Sequence, residues 1–179
     1  MMQDIEKVLV SEEAIKRRVC ELAQVIEADY DGKETLVVGI LNGAVAFYVD
    51  LIKEMDSFIE MNFMRVSSYG GGTNTTGSIR ILYDLEVSVA DKHVLIVEDI
   101  IDSGVTMKNL KKLLLDRGAA SVKACVLLDK PSRRIVDVEA EYVGFKIPDE
   151  FVVGYGLDYA GKYRNLKFIG TLKPEVYTE

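Results

Sequence analysis

Short apolar stretches alternate with segments of helical periodicity, and this alternation constrains the fold more than any other feature of the chain. Leu36–Ile40 and Val94–Val97 are continuously apolar, as expected of strands that are covered on both faces. Apolar residues at helical spacing lie between and after such stretches. One example is the set Ile15, Val19, Leu22 and Ile26. We therefore expect an α/β fold with a mainly parallel sheet flanked by helices.

Caps, breakers and periodicity predict the limits of the other elements. Ser11, followed by two acids, predicts the start of a helix, and Asp31-Gly32 predicts its end. Further strands are predicted at Phe58–Val66, Ile79–Leu85 and Val122–Leu128. Further helices are predicted at Gly43–Met55 and around Met107, Leu110 and Leu114, with an end at Gly118. The chain after Pro131 has strand and loop character, and we expect it to form a small lobe.

Composition narrows the classes of function. The chain has 179 residues, with 22 Lys+Arg against 29 Asp+Glu and a formal charge of −7, which argues against a broad basic face for nucleic acids or anionic membranes. The first residues lack the basic and apolar regions of a signal peptide, and no apolar run approaches a membrane span. Cys20 and Cys125 lie in apolar periodic segments, as buried thiols of a reducing compartment do. We expect a cytoplasmic protein with no nucleic-acid or membrane partner.

The segment after Val94–Val97 is the most informative part of the chain. Three acids and then a turn of small residues follow the apolar strand: Glu98, Asp99, Asp102, Ser103, Gly104 and Thr106. Ligands of open α/β sheets collect at the carboxyl ends of strands, and such a turn offers N–H and hydroxyl groups to an anion at a helix start. Because the glycine patterns of P-loops and dinucleotide folds are missing, a single phosphate fits better than a triphosphate.

The three acids allow two interpretations. Neighbouring carboxylates repel one another unless hydroxyl groups or a cation offset their charge, and ribose hydroxyls and Mg²⁺ would both do so. An ordinary acidic strand end that faces solvent explains the same spacing equally well. The spacing alone does not decide between them.

Four segments resemble type I phosphoribosyltransferases in the same order. Val94–Thr106 is similar to the family's signature for 5-phosphoribosyl 1-pyrophosphate (PRPP), and the others are Val66–Gly70, Leu128–Pro131 and Pro148–Tyr159. The wider chain, from about Ile5 to Tyr177, resembles the hypoxanthine-guanine phosphoribosyltransferases, especially bacterial members. The resemblance implies the type I phosphoribosyltransferase fold, as a single domain over residues 1–179 with a small hood lobe contributed by the terminal segments.

The resemblance also implies the activity. The family transfers the phosphoribosyl group of PRPP to hypoxanthine or guanine, giving IMP or GMP and pyrophosphate in purine salvage, with Mg²⁺ as cofactor. The substrates would be PRPP and a 6-oxopurine. Because members of the family are usually dimeric or tetrameric, the resemblance also implies a homodimer or homotetramer. The mechanism would be a dissociative substitution at the anomeric carbon, which needs no nucleophilic side chain. His93 is the sole histidine and lies at a strand entry, so nothing supports a Ser-His-Asp triad or a histidine metal site.

At the predicted strand end, the resemblance assigns roles to the acids and the turn. Glu98 and Asp99 would hold the ribose hydroxyls and a Mg²⁺, an ion that prefers hard oxygen ligands. Asp102 would be the general base that takes a proton from the purine ring. The 5′-phosphate would bind at Ser103, Gly104, Val105 and Thr106.

The resemblance places base recognition later in the chain. Lys130 would donate to the purine 6-oxo group, and because an ammonium only donates, it opposes adenine's amino group. Without the resemblance, Lys130 is an exposed loop lysine. Phe151 would stack on the base and the Val152 main chain would read its 2-position edge, although an isolated Phe-Val-Val strand is more typical of a core.

Pyrophosphate and lid residues also follow from the resemblance. Asp158 would bind a second Mg²⁺, and Arg164 would contact pyrophosphate through its planar guanidinium, a surface ion pair being the alternative. Asn42 and Gly43 match the pyrophosphate loop, although the family commonly has Lys or Arg at the position of Asn42. Main-chain N–H groups still serve there. Ser68 and Tyr69 match the mobile lid that excludes water.

Two other functions are open to a chain of this kind. One is phosphoribosyl transfer to xanthine, adenine or orotate; Lys130 and Phe151 favour 6-oxopurines, but the sequence does not rank hypoxanthine, guanine and xanthine. The other is an RNA-binding regulator on the same fold, as in pyrimidine-operon attenuators. Retention of Asp102 and the charge of −7 favour the enzyme.

Overall fold

A computed structural model describes residues 1–68 and 79–177. The strands are β1 (Ile5–Val10), β2 (Thr35–Ile40), β3 (Glu60–Ser68), β4 (Ile79–Tyr83), β5 (His93–Ile101), β6 (Ser121–Asp129), β7 (Tyr142–Lys146), β8 (Val152–Val153) and β9 (Ile169–Leu172). The helices are α1 (Glu12–Tyr30), α2 (Val45–Lys53), α3 (Val105–Asp116) and α4 (Pro174–Tyr177). Short 3₁₀ turns cover Met2–Asp4 and Pro131–Arg133.

The main sheet has the strand order β4-β3-β2-β5-β6-β7. Its strands pair in parallel from β3 to β7, and β4 lies antiparallel at one edge. Alternate residues of β5 enter opposite hydrophobic clusters: Leu95 and Val97 pack with α1 and α2, whereas Val94 and Ile96 pack with α3. This two-sided burial explains why the central strands are continuously apolar. The predicted α/β fold is confirmed.

A second, smaller sheet unites the two ends of the chain. Its order is β1-β9-β8 and all its pairings are antiparallel. A cluster of Val153, Tyr163, Leu166 and Leu172 packs beside it. The expectation that the whole chain after Pro131 forms a small lobe is wrong for Tyr142–Lys146, because this segment pairs with β6 and extends the main sheet.

Most predicted elements are confirmed, and the differences lie beside the strand ends. The Ser11 hydroxyl accepts from the Ala14 N–H at 3.2 Å and caps α1. The helix predicted from Gly43 begins instead at Val45, since residues 41–44 form a turn. The Leu41–Asn42 peptide bond in this turn is cis. β5 continues to Ile101, so the first two acids lie within the strand rather than after it.

The two thiols differ in their surroundings. Cys125 is fully buried, and burial raises the pKa of its thiol. Cys20 is only half-buried, against expectation, and its Sγ lies 3.2 Å from Glu54 Oε2. Over the described ranges, no helix combines the length and apolar character needed to cross a bilayer.

Candidate active site

The carboxyl ends of the parallel strands bring the predicted site residues to one edge of the main sheet. β2 leads into the turn at 41–44, β5 into the Asp102 turn and β6 into Lys130. The Lys130 N–H donates to the Ile101 carbonyl at 3.0 Å, which joins the ends of β5 and β6. Ligands of open α/β sheets bind at such an edge.

Glu98 and Asp99 concentrate negative charge at the end of β5. Burial raises the pKa of Glu98 well above its usual range, and the charge of Asp99 adds to this effect. Burial also raises the pKa of Asp99, although the Ile100 N–H donates to its Oδ1 at 2.8 Å. Glu98 Oε2 is buried without a hydrogen-bond partner among the described residues. Two crowded carboxylates, one with an orphaned oxygen, fit a divalent cation and hydroxyl donors.

Glycines allow three segments to meet beside Asp99. A Cβ atom at Gly43 would lie 1.6 Å from Asp99 Oδ2, and one at Gly156 would lie 1.9 Å from the Gly43 carbonyl oxygen. Gly156 also has a φ of 103°, which favours glycine. Asn42 lies in the same turn, after the cis peptide bond. The predicted pyrophosphate loop therefore packs directly between the β5 carboxylates and the 154–157 segment.

The predicted phosphate turn connects β5 to α3. Gly104 precedes α3 with a φ of 84°, and Ser103 Oγ lies 3.4 Å from the Val105 N–H that donates to it. The adjoining cavity of about 180 Å³ is lined by Glu98, Asp99, Ile100, Ile101, Asp102, Ser103, Gly104, Thr106 and Met107. All three predicted acids and most of the turn thus share one cavity.

Lys130 is not the exposed loop lysine that the sequence alone suggested. It is 8% exposed, and its Nζ donates to the Glu150 carbonyl at 2.7 Å. That contact links Lys130 to the residue before Phe151. Phe151 is 43% exposed and its ring stacks on Tyr177 with 5.5 Å between ring centroids, whereas Val152 is buried in β8. An ammonium and an exposed aromatic face therefore lie on neighbouring segments.

Asp158 and Arg164 contact each other. Arg164 Nη2 lies 2.6 Å from Asp158 Oδ1, and Arg164 Nη1 donates to the Gly156 carbonyl at 2.6 Å. Burial raises the pKa of Asp99, and the charge of Arg164 offsets part of that rise, so the guanidinium acts electrostatically on this β5 acid. Within residues 1–68 and 79–177, no three acidic, histidine or cysteine side chains converge on a metal site. A Mg²⁺ ion here would depend on substrate oxygens and water for most of its ligands.

Two arginines beside Lys130 also reach the site, and the sequence analysis missed them. Arg133 Nε lies 2.8 Å from Asp102 Oδ1. Arg134 donates to the Asp102 carbonyl and pairs with Asp129. Consecutive arginines three and four residues after the predicted base-binding lysine were the available signal.

The lid prediction falls mostly outside the described residues. Ser68 ends β3 and its main chain pairs with Ile79 of β4. The side chain of Ser68 and all of Tyr69 lie outside the described residues. His93 Nδ1 lies 2.8 Å from Ser121 Oγ, at the amino end of β5 and away from the acids.

Comparison with known proteins identifies the class. Residues 7–160 match the phosphoribosyl transferase domain family. The hypoxanthine-guanine phosphoribosyltransferase of Bacillus subtilis is 52% identical over 99% of this chain and 98% of its own. A crystal structure of a hypoxanthine phosphoribosyltransferase from Staphylococcus aureus superposes with a TM-score of 0.96, at 52% identity, over 100% of this chain and 97% of that one.

A longer relative also matches. The bifunctional protein TilS/HprT of Listeria innocua is 54% identical over 100% of this chain, which spans only 28% of that protein's length.

The chain belongs to the phosphoribosyl transferase family and, within it, to the hypoxanthine-guanine phosphoribosyltransferases. The predicted family is confirmed.

Proposed function

We propose that this chain transfers the phosphoribosyl group of PRPP to hypoxanthine or guanine, giving IMP or GMP and pyrophosphate, and that it requires Mg²⁺. The observation that carries the proposal is the cavity at the end of β5, where Glu98, Asp99 and Asp102 meet a small-residue turn at the start of α3. The matches to hypoxanthine-guanine phosphoribosyltransferases over the full chain support it. The same proposal includes a cytoplasmic homodimer or homotetramer, and a single domain with the small sheet as its hood.

PRPP binding follows from the charges and donors of the cavity. Glu98 and Asp99 accept hydrogen bonds from the ribose hydroxyls. The same carboxylates would hold Mg²⁺, which would offset negative charge on the departing pyrophosphate. Their crowding and the orphaned Glu98 Oε2 support both roles. The N–H groups and hydroxyls of Ser103, Gly104, Val105 and Thr106 bind the 5′-phosphate at the start of α3.

The pyrophosphate site combines the turn at 41–44 with the 154–164 segment. Main-chain N–H groups of Asn42 and Gly43 face the leaving group, and Arg164 supplies a guanidinium. The Asp158 carboxylate, which pairs with Arg164, would hold a second Mg²⁺. The contact between Gly156 and Gly43 supports a continuous site. This chain has Asn42 where the family commonly has Lys or Arg. Arg164 therefore compensates more of the negative charge of pyrophosphate.

Lys130, Phe151 and Val152 select the base. The Lys130 ammonium donates to the 6-oxo group, Phe151 stacks on the ring, and the Val152 main chain reads the 2-position edge. Asp102 takes the ring proton as the bond between the purine nitrogen and the anomeric carbon forms and the bond to pyrophosphate breaks. Ser68 and Tyr69 serve as the lid. Most of the rate enhancement comes from positioning of the two substrates and from electrostatic stabilisation of the charge on the departing pyrophosphate.

A steady-state assay with each purine tests the proposal. Purified protein, PRPP and Mg²⁺ should give nucleotide and pyrophosphate in equal amounts with hypoxanthine and with guanine, and no nucleotide with adenine. Chelation of Mg²⁺ with excess EDTA should abolish turnover, and added Mg²⁺ should restore it. Nucleotide formation from adenine alone, or no product with any purine, would refute the proposed function.

Replacing Lys130 with Ala should weaken base binding far more than PRPP binding. A hydrogen bond from a charged donor contributes roughly 1.5–3 kcal/mol, so KM for hypoxanthine should rise about 10- to 100-fold. KM for PRPP should stay within about threefold, because Lys130 contacts the base and not the sugar phosphate. Lys123→Ala, at a lysine that pairs with Asp29 elsewhere on the fold, is the control. Unchanged kinetics with hypoxanthine and guanine would contradict the base pocket.

A further inference from the structure

We propose that Arg133 is a positioning residue that orients the Asp102 carboxylate for proton transfer. This inference rests on the proposed function, in which Asp102 is the general base. Arg133 is not among the residues that the family resemblance assigned. It lies in the 3₁₀ turn Pro131–Arg133, directly after the base-binding Lys130.

The contact distinguishes the two oxygens of Asp102. Arg133 Nε lies 2.8 Å from Oδ1 as an ion pair. Oδ1 is buried and has no hydrogen-bond partner among the described residues, although the side chain as a whole is 44% exposed. The guanidinium therefore acts on Oδ1 through its charge and its contact, not through a directed hydrogen bond. The exposed surface therefore belongs to Oδ2 and the side-chain carbons. The N–H group of an incoming purine can therefore reach Oδ2, whereas the Arg133 guanidinium covers Oδ1.

Arg133 also joins Asp102 to the segment that reads the base. Its Nη1 lies 3.3 Å from Asp149 Oδ2, and Asp149 Oδ1 lies 3.8 Å from Lys130 Nζ. One guanidinium thus spans the phosphate turn and the residues just before Phe151. The ion pairing raises the pKa of Arg133, with Asp102 as the largest cause.

Arg134 contacts the main chain of the same aspartate. Its guanidinium donates to the main-chain carbonyl of Asp102 and pairs with the buried carboxylate of Asp129. Asp102 is therefore held by its main chain through Arg134 and by its side chain through Arg133. With the main chain fixed, the remaining freedom is rotation of the carboxylate, and the Arg133 contact restricts it.

The catalytic consequence concerns the proton. As the purine nitrogen bonds to the anomeric carbon and pyrophosphate departs with its bonding electrons, the ring N–H proton passes to Asp102 Oδ2. A carboxylate held in the correct rotamer accepts that proton without first reorienting. Loss of Arg133 should slow this step and leave the binding of PRPP at the β5 acids unchanged.

Arg133→Gln tests the role, because glutamine keeps much of the length and removes the charge. Because an exposed ion pair has a modest effect, we expect kcat with hypoxanthine to fall about fivefold, with KM for PRPP unchanged. Arg133→Lys should restore part of the loss. The matched control is Arg117→Gln, which removes a half-exposed arginine paired with Asp84 and should behave like the parent protein.

A double-mutant cycle separates positioning from a structural role. In an Asp102→Asn background, measured by single-turnover rapid quench, Arg133→Gln should have no further effect on the rate. A fivefold loss that persists in that background, a parallel rise in KM for PRPP, or parent-like kinetics of Arg133→Gln would overturn the inference. If the parent protein itself makes no nucleotide, the proposed function has failed instead.

Discussion

Replacing Asp102 with Asn is expected to lower kcat with hypoxanthine by about 10²- to 10⁴-fold, the range of general acid–base contributions. The amide preserves the size of the side chain but cannot take up the purine proton. PRPP binding should persist, because the phosphate turn and the β5 acids are unchanged. Asp102 lines the same cavity as those acids. PRPP binding and turnover must therefore be measured independently to show that the substitution affects only turnover.

Two measurements establish that separation. Calorimetric titration of PRPP in the presence of Mg²⁺ should give a Kd for Asp102→Asn within about threefold of the parent value. Rapid-quench assays should locate the loss in the chemical step. Asp84→Asn, which removes a carboxylate from a surface pair with Arg117, should leave both measurements unchanged. Parent-like turnover of Asp102→Asn would remove Asp102 from the role of base.

The sequence predicted those parts of the fold that local physics determines. The strands β2 and β5 are buried on both faces, and this burial requires the unbroken apolar runs from which they were recognised. The start of α1 was predictable because the Ser11 cap depends on residues within one turn. The limits of α2 and β5 were missed because they depend on packing at the sheet edge. The turn at 41–44, for example, contacts Asp99 and Gly156.

Site residues were predictable to the extent that a motif carried them. The acids and the turn that line the β5 cavity form one continuous segment, and their proximity follows from the strand and helix that hold them. The burial of Lys130 depends on the Glu150 carbonyl, twenty residues along the chain. The role of Arg133 likewise depends on residues distant in the sequence, since its guanidinium pairs with Asp102 and Asp149. Contacts of this kind are set by tertiary structure, so the consecutive arginines after Lys130 marked the segment in the sequence but not the residues that they contact.

Replacing Gly43 with Ala is expected to lower kcat/KM for PRPP by at least about 100-fold. The new Cβ would lie 1.6 Å from Asp99 Oδ2, so either the Asp99 carboxylate or the 41–44 turn must move. Movement of the turn is opposed by the 154–157 segment, since a Cβ built at Gly156 would lie only 1.9 Å from the Gly43 carbonyl oxygen. A displacement of about 1 Å in a positioning group can reduce rates by about 10²-fold, and this one affects a proposed Mg²⁺ ligand and the pyrophosphate loop together.

The same substitution at Gly32 is the matched control for Gly43→Ala. No atom lies within 4 Å of a Cβ at Gly32, but its φ of 71° is left-handed, so alanine there should destabilise the fold by about 1–2 kcal/mol. The thermal midpoint should fall by about 2–8 °C, with kcat and KM unchanged. Gly43→Ala should instead lose most of its kcat/KM for PRPP while most of the protein stays folded at the assay temperature. Parent-like kcat/KM for Gly43→Ala would mean that close contact between the turn and Asp99 is unnecessary for PRPP use.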